Sequence, residues 1–232
     1  MPTVYWTNDA GSQFTTGLLY GLAGAGKTPM ASTCPDPLIV TTEPGLKSLQ
    51  HVHVPYVVGR NKSEAMEILA WIKGSNECKK FQTIFLDSIS ALSENILIDE
   101  KRKSSDPRKF SPNTTAATTE VVLAFLAMAQ SNNKHIWMTC KAIELVDQDN
   151  AQRYVEPFAV TPKLGPALPY HFDNVIFMSR HIDPTSGQEY AKFTCRENGY
   201  SRMTRNRASI NPLNLYEPAN IGYIINKLNG VT

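Results

Sequence analysis

One run constrains this chain more than any other: GLAGAGKT at residues 21–28. It matches G-x-x-x-x-G-K-[ST] in full. Gly21, Gly24, Ala25 and Gly26 make a loop of small residues that turns tightly and aims backbone N–H groups at phosphate oxygens. Lys27 is placed to reach the β and γ phosphates, and the Thr28 hydroxyl to hold Mg²⁺. A helix starting at this point adds the positive end of its dipole. Context fits, because the β-rich run Thr15–Tyr20 precedes the loop and a helix-compatible run follows, with Pro29 tolerated in a first turn. The sequence Cys34-Pro35-Asp36-Pro37 stops that helix after about two turns. ATP and Mg²⁺ are the expected cofactors.

The rest of the chain reads as short β-rich runs alternating with longer helical patterns. Strands are expected at Pro37–Thr42, Val54–Val58, Thr83–Leu86, His135–Cys140, Asn174–Met178 and Tyr190–Thr194. Helices are expected at Ser63–Lys73, with Ser63 as cap, and at Ser90–Lys101, Thr115–Gln130 and Pro218–Leu228. This alternation predicts an α/β fold with a mostly parallel central sheet flanked by helices. No linker stands out, so residues 1–232 read as a single domain, with 1–14 as an N-terminal extension. Two polar stretches, Arg102–Asn113 and Asp147–Pro169, read as long functional or mobile loops.

Composition excludes several classes. Hydrophobic residues are 42% and charged residues 19%, which excludes a disordered chain. The net charge of +2 leaves nucleic-acid binding to local clusters. No apolar run approaches a membrane span, and MPTVYWTNDAGSQF has no basic start followed by an apolar core. A cytoplasmic protein without a membrane partner is expected. Cys34, Cys78, Cys140 and Cys195 form no metal-ligand spacing and read as reduced, buried thiols. His51 and His53 flank Val52 but lack a third ligand, and the other histidines are isolated.

A second site follows from FQTIFLDSIS. Its strand delivers Asp87 at the carboxyl end, where ligands bind in open α/β sheets, so Asp87 is expected to serve Mg²⁺ beside Thr28. Ser88 stands where many ATPases carry a water-activating glutamate. Glu43, at the end of PLIVTTE and before Pro44-Gly45, is the candidate base on the same rim. A helix-capping or solvated glutamate fits the spacing equally well.

Lys101, Arg102, Lys103, Arg108 and Lys109 oppose only Asp106, and Phe110 follows. Cations that track phosphates beside a ring that stacks on a base suit single-stranded nucleic acid. Arg153, Tyr154, Phe158 and Lys163 mark the second stretch. For both, a solvated surface loop is the alternative.

GLAGAGKT, the very short helix, PDPLIVTTEPGLKSL and TIFLDSIS together resemble the phage-encoded RecA/RadA-like ATPases that act as single-strand annealing proteins, also described as phage nucleotide-binding AAA-type proteins. KHIWMTCKAIE, KLGPALPYHFDNVIFMSR and Arg205-Asn206-Arg207 extend the likeness from about Thr15 to Lys227. The resemblance implies a P-loop NTPase of RecA-like core type. It implies that Glu43 orients the attacking water, that Thr139 or Lys141 senses the γ-phosphate, and that Arg205 and Arg207 reach a neighbour's ATP in trans. It places the two polar stretches where such proteins put DNA-binding loops. The expected activity is a Mg-dependent, DNA-stimulated ATPase that binds single-stranded DNA and promotes annealing or recombination in phage DNA metabolism, in the host cytoplasm. Expected partners are single-stranded DNA, a homo-oligomeric ring or filament, and a single-strand binding protein. A small-molecule kinase with Arg196, Arg202, Arg205 and Arg207 as its lid remains an alternative, as does a non-hydrolysing nucleotide-gated DNA-binding module.

Overall fold

A computed structural model describes residues 14–43, 46–104, 106–208 and 210–231. The N-terminal extension lies outside these except for Phe14, as do Pro44 and Gly45. The elements, in chain order, are β1 (Thr16–Gly21), β2 (Pro37–Thr41), β3 (Tyr56–Val58), α1 (Lys62–Gly74), β4 (Thr83–Asp87), α2 (Ile89–Lys103), α3 (Pro107–Leu126), α4 (Met128–Ser131), β5 (His135–Val146), β6 (Arg153–Phe158), α5 (Leu164–Ala167), β7 (Asn174–Ile182), β8 (Glu189–Thr194), β9 (Arg205–Asn206), β10 (Tyr216–Pro218) and α6 (Ile221–Leu228).

The strands of the described residues form one ten-stranded sheet ordered β10-β8-β7-β1-β5-β4-β2-β3, with β6 paired to β5 and β9 to β7. From β7 to β3 every neighbouring pair is parallel. Strand β5 is interposed between β1 and β4, so the loop after β1 and the acid ending β4 face each other across one strand.

Both faces are covered, as a parallel sheet requires. Successive residues alternate between two cores. Leu18, Tyr20, Ile84, Leu86, Ile136 and Met138 pack toward the layer of α1, α2 and α3. Leu19, Phe85 and Trp137 pack toward the opposite layer, which includes α6. This period of two holds the strands in register, since a one-residue slip would exchange the two faces. Among the described residues, no helix is long and apolar enough to cross a membrane.

The structure corrects several expectations. Helix α1 is capped by Asn61, whose side chain accepts from Glu64 N at 3.0 Å, while Glu64 accepts from Arg60 N at 2.7 Å. This is a variant of the capping box, with the glutamate reaching the N–H one residue before the cap, and it leaves Ser63 inside the helix. The stretch Arg102–Asn113 is largely helical rather than a loop. Asp106 accepts from Arg108 N and Pro107 takes the first helical position, which starts α3 soon after α2 ends. The stretch Asp147–Pro169 is also structured: β5 runs on to Val146 and returns as β6, with α5 beyond. Pro218 belongs to β10, and α6 starts after its cap, Asn220.

Candidate functional site

The loop 21–28 emerges at the C-terminal edge of the parallel strands and borders a cleft of about 500 Å³. Its glycines do different work. Gly24 and Gly26 adopt φ of +76° and +93°, which side chains rarely tolerate. Gly21 does not; a Cβ there would lie 2.6 Å from the Met178 carbonyl oxygen, so it permits close approach of β7. The helix that follows is a 3-10 helix over Thr28–Thr33, two turns long but too short for a substantial dipole. Anion binding therefore falls mainly to the loop amides and side chains.

Lys27 curls back on its own loop. Its ammonium donates to Gly21 O at 2.7 Å and Leu22 O at 3.0 Å. Burial pulls its pKa below the ordinary lysine value, while Asp87, and after it the Cys140 thiol and Glu43, oppose that shift. A phosphate would replace two weakly charged carbonyls with a full anion.

Asp87 is buried at the end of β4. Thr28 Oγ1 donates to its Oδ2 at 2.6 Å, and Thr139 Oγ1 donates to its Oδ1. The peptide bond between Asp87 and Ser88 is cis. Thr42 N donates to Asp87 O at 2.9 Å, and Ser88 N donates to Thr42 Oγ1 at 3.0 Å. These bonds stitch the ends of β2 and β4 together and bring Glu43 to the cleft beside Asp87. Glu43 is exposed on the rim. Partial burial of its carboxyl, and then the negative Asp87, raise its pKa above the usual carboxylate range.

The two sensor candidates separate. Thr139 is fully buried behind Asp87 and does not line the cleft. Lys141 lines it, with its ammonium held by both oxygens of Glu94, at 2.7 and 2.9 Å, on α2.

Arg205 and Arg207 lie at the other end of the strands. Strand β9 pairs with the start of β7, setting Arg205 opposite Val175, which is itself level with Leu18 of β1. Arg205 donates to Pro169 O and Phe172 O, while Arg207 donates to Tyr170 O and forms an ion pair with Asp173 at 3.5 Å. Neither borders its own chain's cleft. The four arginines weighed as a kinase lid do not converge there either: Arg196 donates to Leu213 O, and Arg202 pairs with Asp147.

Lys101, Arg102, Lys103, Arg108 and Lys109 are exposed at the corner between α2 and α3. Arg102, Lys103 and Arg108 pair with Asp99, Glu100 and Asp106. The Lys101 ammonium lies 5.5 Å from the Phe110 ring centroid. Arg153 is exposed on β6, away from that corner, and pairs with Glu144.

A charged residue of the cleft escaped sequence reasoning. Arg180 lines the site because β7 continues to Ile182. The readable signal was MSRHI, which carries a cation two residues past the expected end of that strand.

A sequence model of the AAA domain family matches residues 13–207. No curated protein matches the chain.

Proposed function

The chain belongs to the AAA domain family of ATPases, and on that premise we propose that its cleft binds Mg-ATP and hydrolyses it, and that the nucleotide-bound form binds single-stranded DNA and promotes annealing or recombination. The observation that carries this reading is the convergence of Lys27, Thr28, Asp87 and Glu43 on one cleft from three separate strand ends.

The residues fit a hard cation. Thr28 and Asp87 already bring two oxygens within 2.6 Å, and Mg²⁺ typically takes one or two protein oxygens and completes its shell with phosphate and water. Bound there, the metal would neutralise charge on the phosphate chain. Lys27 exchanges its carbonyl partners for phosphate oxygens. Glu43, whose raised pKa makes it a stronger base than an ordinary carboxylate, orients and deprotonates the attacking water. Lys141 reports the terminal phosphate, and an arginine from a neighbouring copy, Arg205 or Arg207, stabilises the developing charge.

DNA binding is assigned to the basic corner. Helix α2 links it to the cleft. It starts directly after Asp87-Ser88, carries the Lys141 partner Glu94, and is fixed by Asn95 to Thr42 O and Arg60 O. A change at Lys141 thus has a rigid element through which to reach Lys101–Lys103.

The test is the ATPase rate with and without single-stranded DNA. Stimulation supports the reading, and absence of turnover with retained ATP binding would favour a non-hydrolysing module. Replacing Lys101, Arg102 and Lys103 by alanine should reduce the salt slope of single-strand binding by about two, at roughly 0.7 per phosphate contact. An unchanged slope places the DNA elsewhere.

A further inference from the structure

We infer that Arg180 is a second phosphate-binding cation, supplied by the same chain and held off by Glu189 until a polyphosphate enters. This rests on the reading of the cleft as an ATP site.

The loop is flanked by both strands that pair with β1. From β5 comes Lys141, level with Gly21. From the other neighbour, β7, comes Arg180. Met178 of β7 packs against Gly21, and Arg180, two residues on, reaches the loop at Gly26. A Cβ placed on Gly26 would lie 3.4 Å from Arg180 Nη2 and 3.9 Å from Nε. The guanidinium therefore stands where a side chain on Gly26 would meet it, on the cleft that Gly26 and Lys27 also line, beside the loop whose inward N–H groups receive an anion.

Its present partner is a weak competitor. Arg180 Nη1 donates to Glu189 Oε2 at 2.5 Å, and the two side chains are 47% and 55% exposed. An ion pair that exposed contributes little. Both residues belong to the hairpin of β7 and β8, which pairs Arg180 with Ala191 and Ile182 with Glu189. The hairpin fixes the arginine backbone beside the loop and leaves its side chain free to rotate. An arginine fork matches phosphate in two parallel hydrogen bonds. A polyphosphate, with several charges and partial shielding from water, outcompetes one solvated carboxylate. The inference also separates the arginines by role: Arg180 acts within the chain, whereas Arg205 and Arg207 lie too far from their own cleft.

Calorimetry on the full chain tests this, with Mg-ATP and with inorganic tripolyphosphate as a probe that lacks base and sugar. Arg180→Ala should weaken both about tenfold, the size expected for a charge-assisted hydrogen bond. Arg180→Lys should recover part of the loss. Glu189→Gln should tighten both several-fold, because it removes the competitor. Both residues are exposed, so neither substitution removes buried packing. Affinity for both ligands unchanged in Arg180→Ala, while Lys27→Ala loses binding, overturns the inference and leaves the ATP site standing. Weakening by Glu189→Gln equal to that by Arg180→Ala also overturns it, since the pair would then be scaffolding. If Lys27→Ala binds as well as the native chain, the ATP site itself fails and Arg180 fails with it.

Discussion

The Thr28 hydroxyl donates to Asp87 Oδ2 over 2.6 Å although the two residues are 59 apart in sequence. Asp87 is the last residue of β4 and Thr28 closes the loop that follows β1, and β5 lies between those strands. Thr139, from β5, completes the arrangement by donating to the other carboxylate oxygen. The carboxylate is thus gripped by hydroxyls from both sides while one flank faces the cleft.

That geometry separates metal binding from folding. Thr28→Val should weaken ATP binding about tenfold with Mg²⁺ present and hardly at all with chelator, because it removes one charge-assisted contact. Asp87→Ala should instead lower the melting temperature, since it strands two hydroxyls, one fully buried, at a cost of about 1–3 kcal/mol. Equal affinity losses with and without magnesium in Thr28→Val would show that the threonine holds the nucleotide rather than the metal.

Glu43→Gln should preserve ATP affinity within a few-fold and reduce turnover at least about a hundredfold, the lower range for a general base. In the native chain, turnover should rise with pH through a limb lying above the ordinary glutamate value, because burial and Asp87 favour the protonated form. Full turnover in the glutamine variant would move the base elsewhere.

Arg207→Ala is the cleaner probe of action in trans, because Arg207 is exposed whereas Arg205 also holds the carbonyls of Pro169 and Phe172. Alone it should turn over at least about a thousandfold more slowly, as loss of a trans arginine does. Mixed with Lys27→Ala, which retains the arginine but not the phosphate lysine, it should regain part of that rate. Mixtures no faster than the separate variants would assign Arg207 to structure.

His135 gives a pH dependence of stability. It is buried, its Nδ1 accepts from Thr15 N at 3.1 Å, and burial pulls its pKa down to about 4 from 6.5. The unfolded chain therefore binds the proton first as pH falls. The stabilising contribution is complete above about pH 6.5 and is lost progressively down to about pH 4, for a total on the order of 3 kcal/mol. Melting temperatures across that window should fall more steeply in the native chain than in His135→Gln. Parallel curves would mean that other groups set the acid limb.

The sequence revealed what was local. The phosphate loop, the acid at the end of β4 and the short stop at Cys34-Pro35 each depend on neighbours within a few residues, and they lie where the motif and strand-end logic put them. What depended on distant pairing was hidden. Arg180 stays in the sheet only because β8 returns beside it, and Arg205 falls at the far end of the strands only because β9 pairs with the start of β7. The segment Arg102–Asn113 concealed its helices because their exposed ends carry charges and no apolar stripe; the signal was the cap Asp106 before Pro107. Lys141 was singled out only by the family resemblance, and nothing near it in sequence marked its tie to Glu94.

The placement of Arg207 opposite to the cleft has a consequence for assembly. Asp173, its partner, is bonded to Thr16, five residues before Gly21, on the order of 16 Å of extended strand. A head-to-tail contact would carry Arg207 of one copy to the nucleotide of another, and such an interface is heterologous and gives the assembly polarity. A closed circle then serves every pocket, while an open string of copies always ends in one whose bound nucleotide no arginine attends.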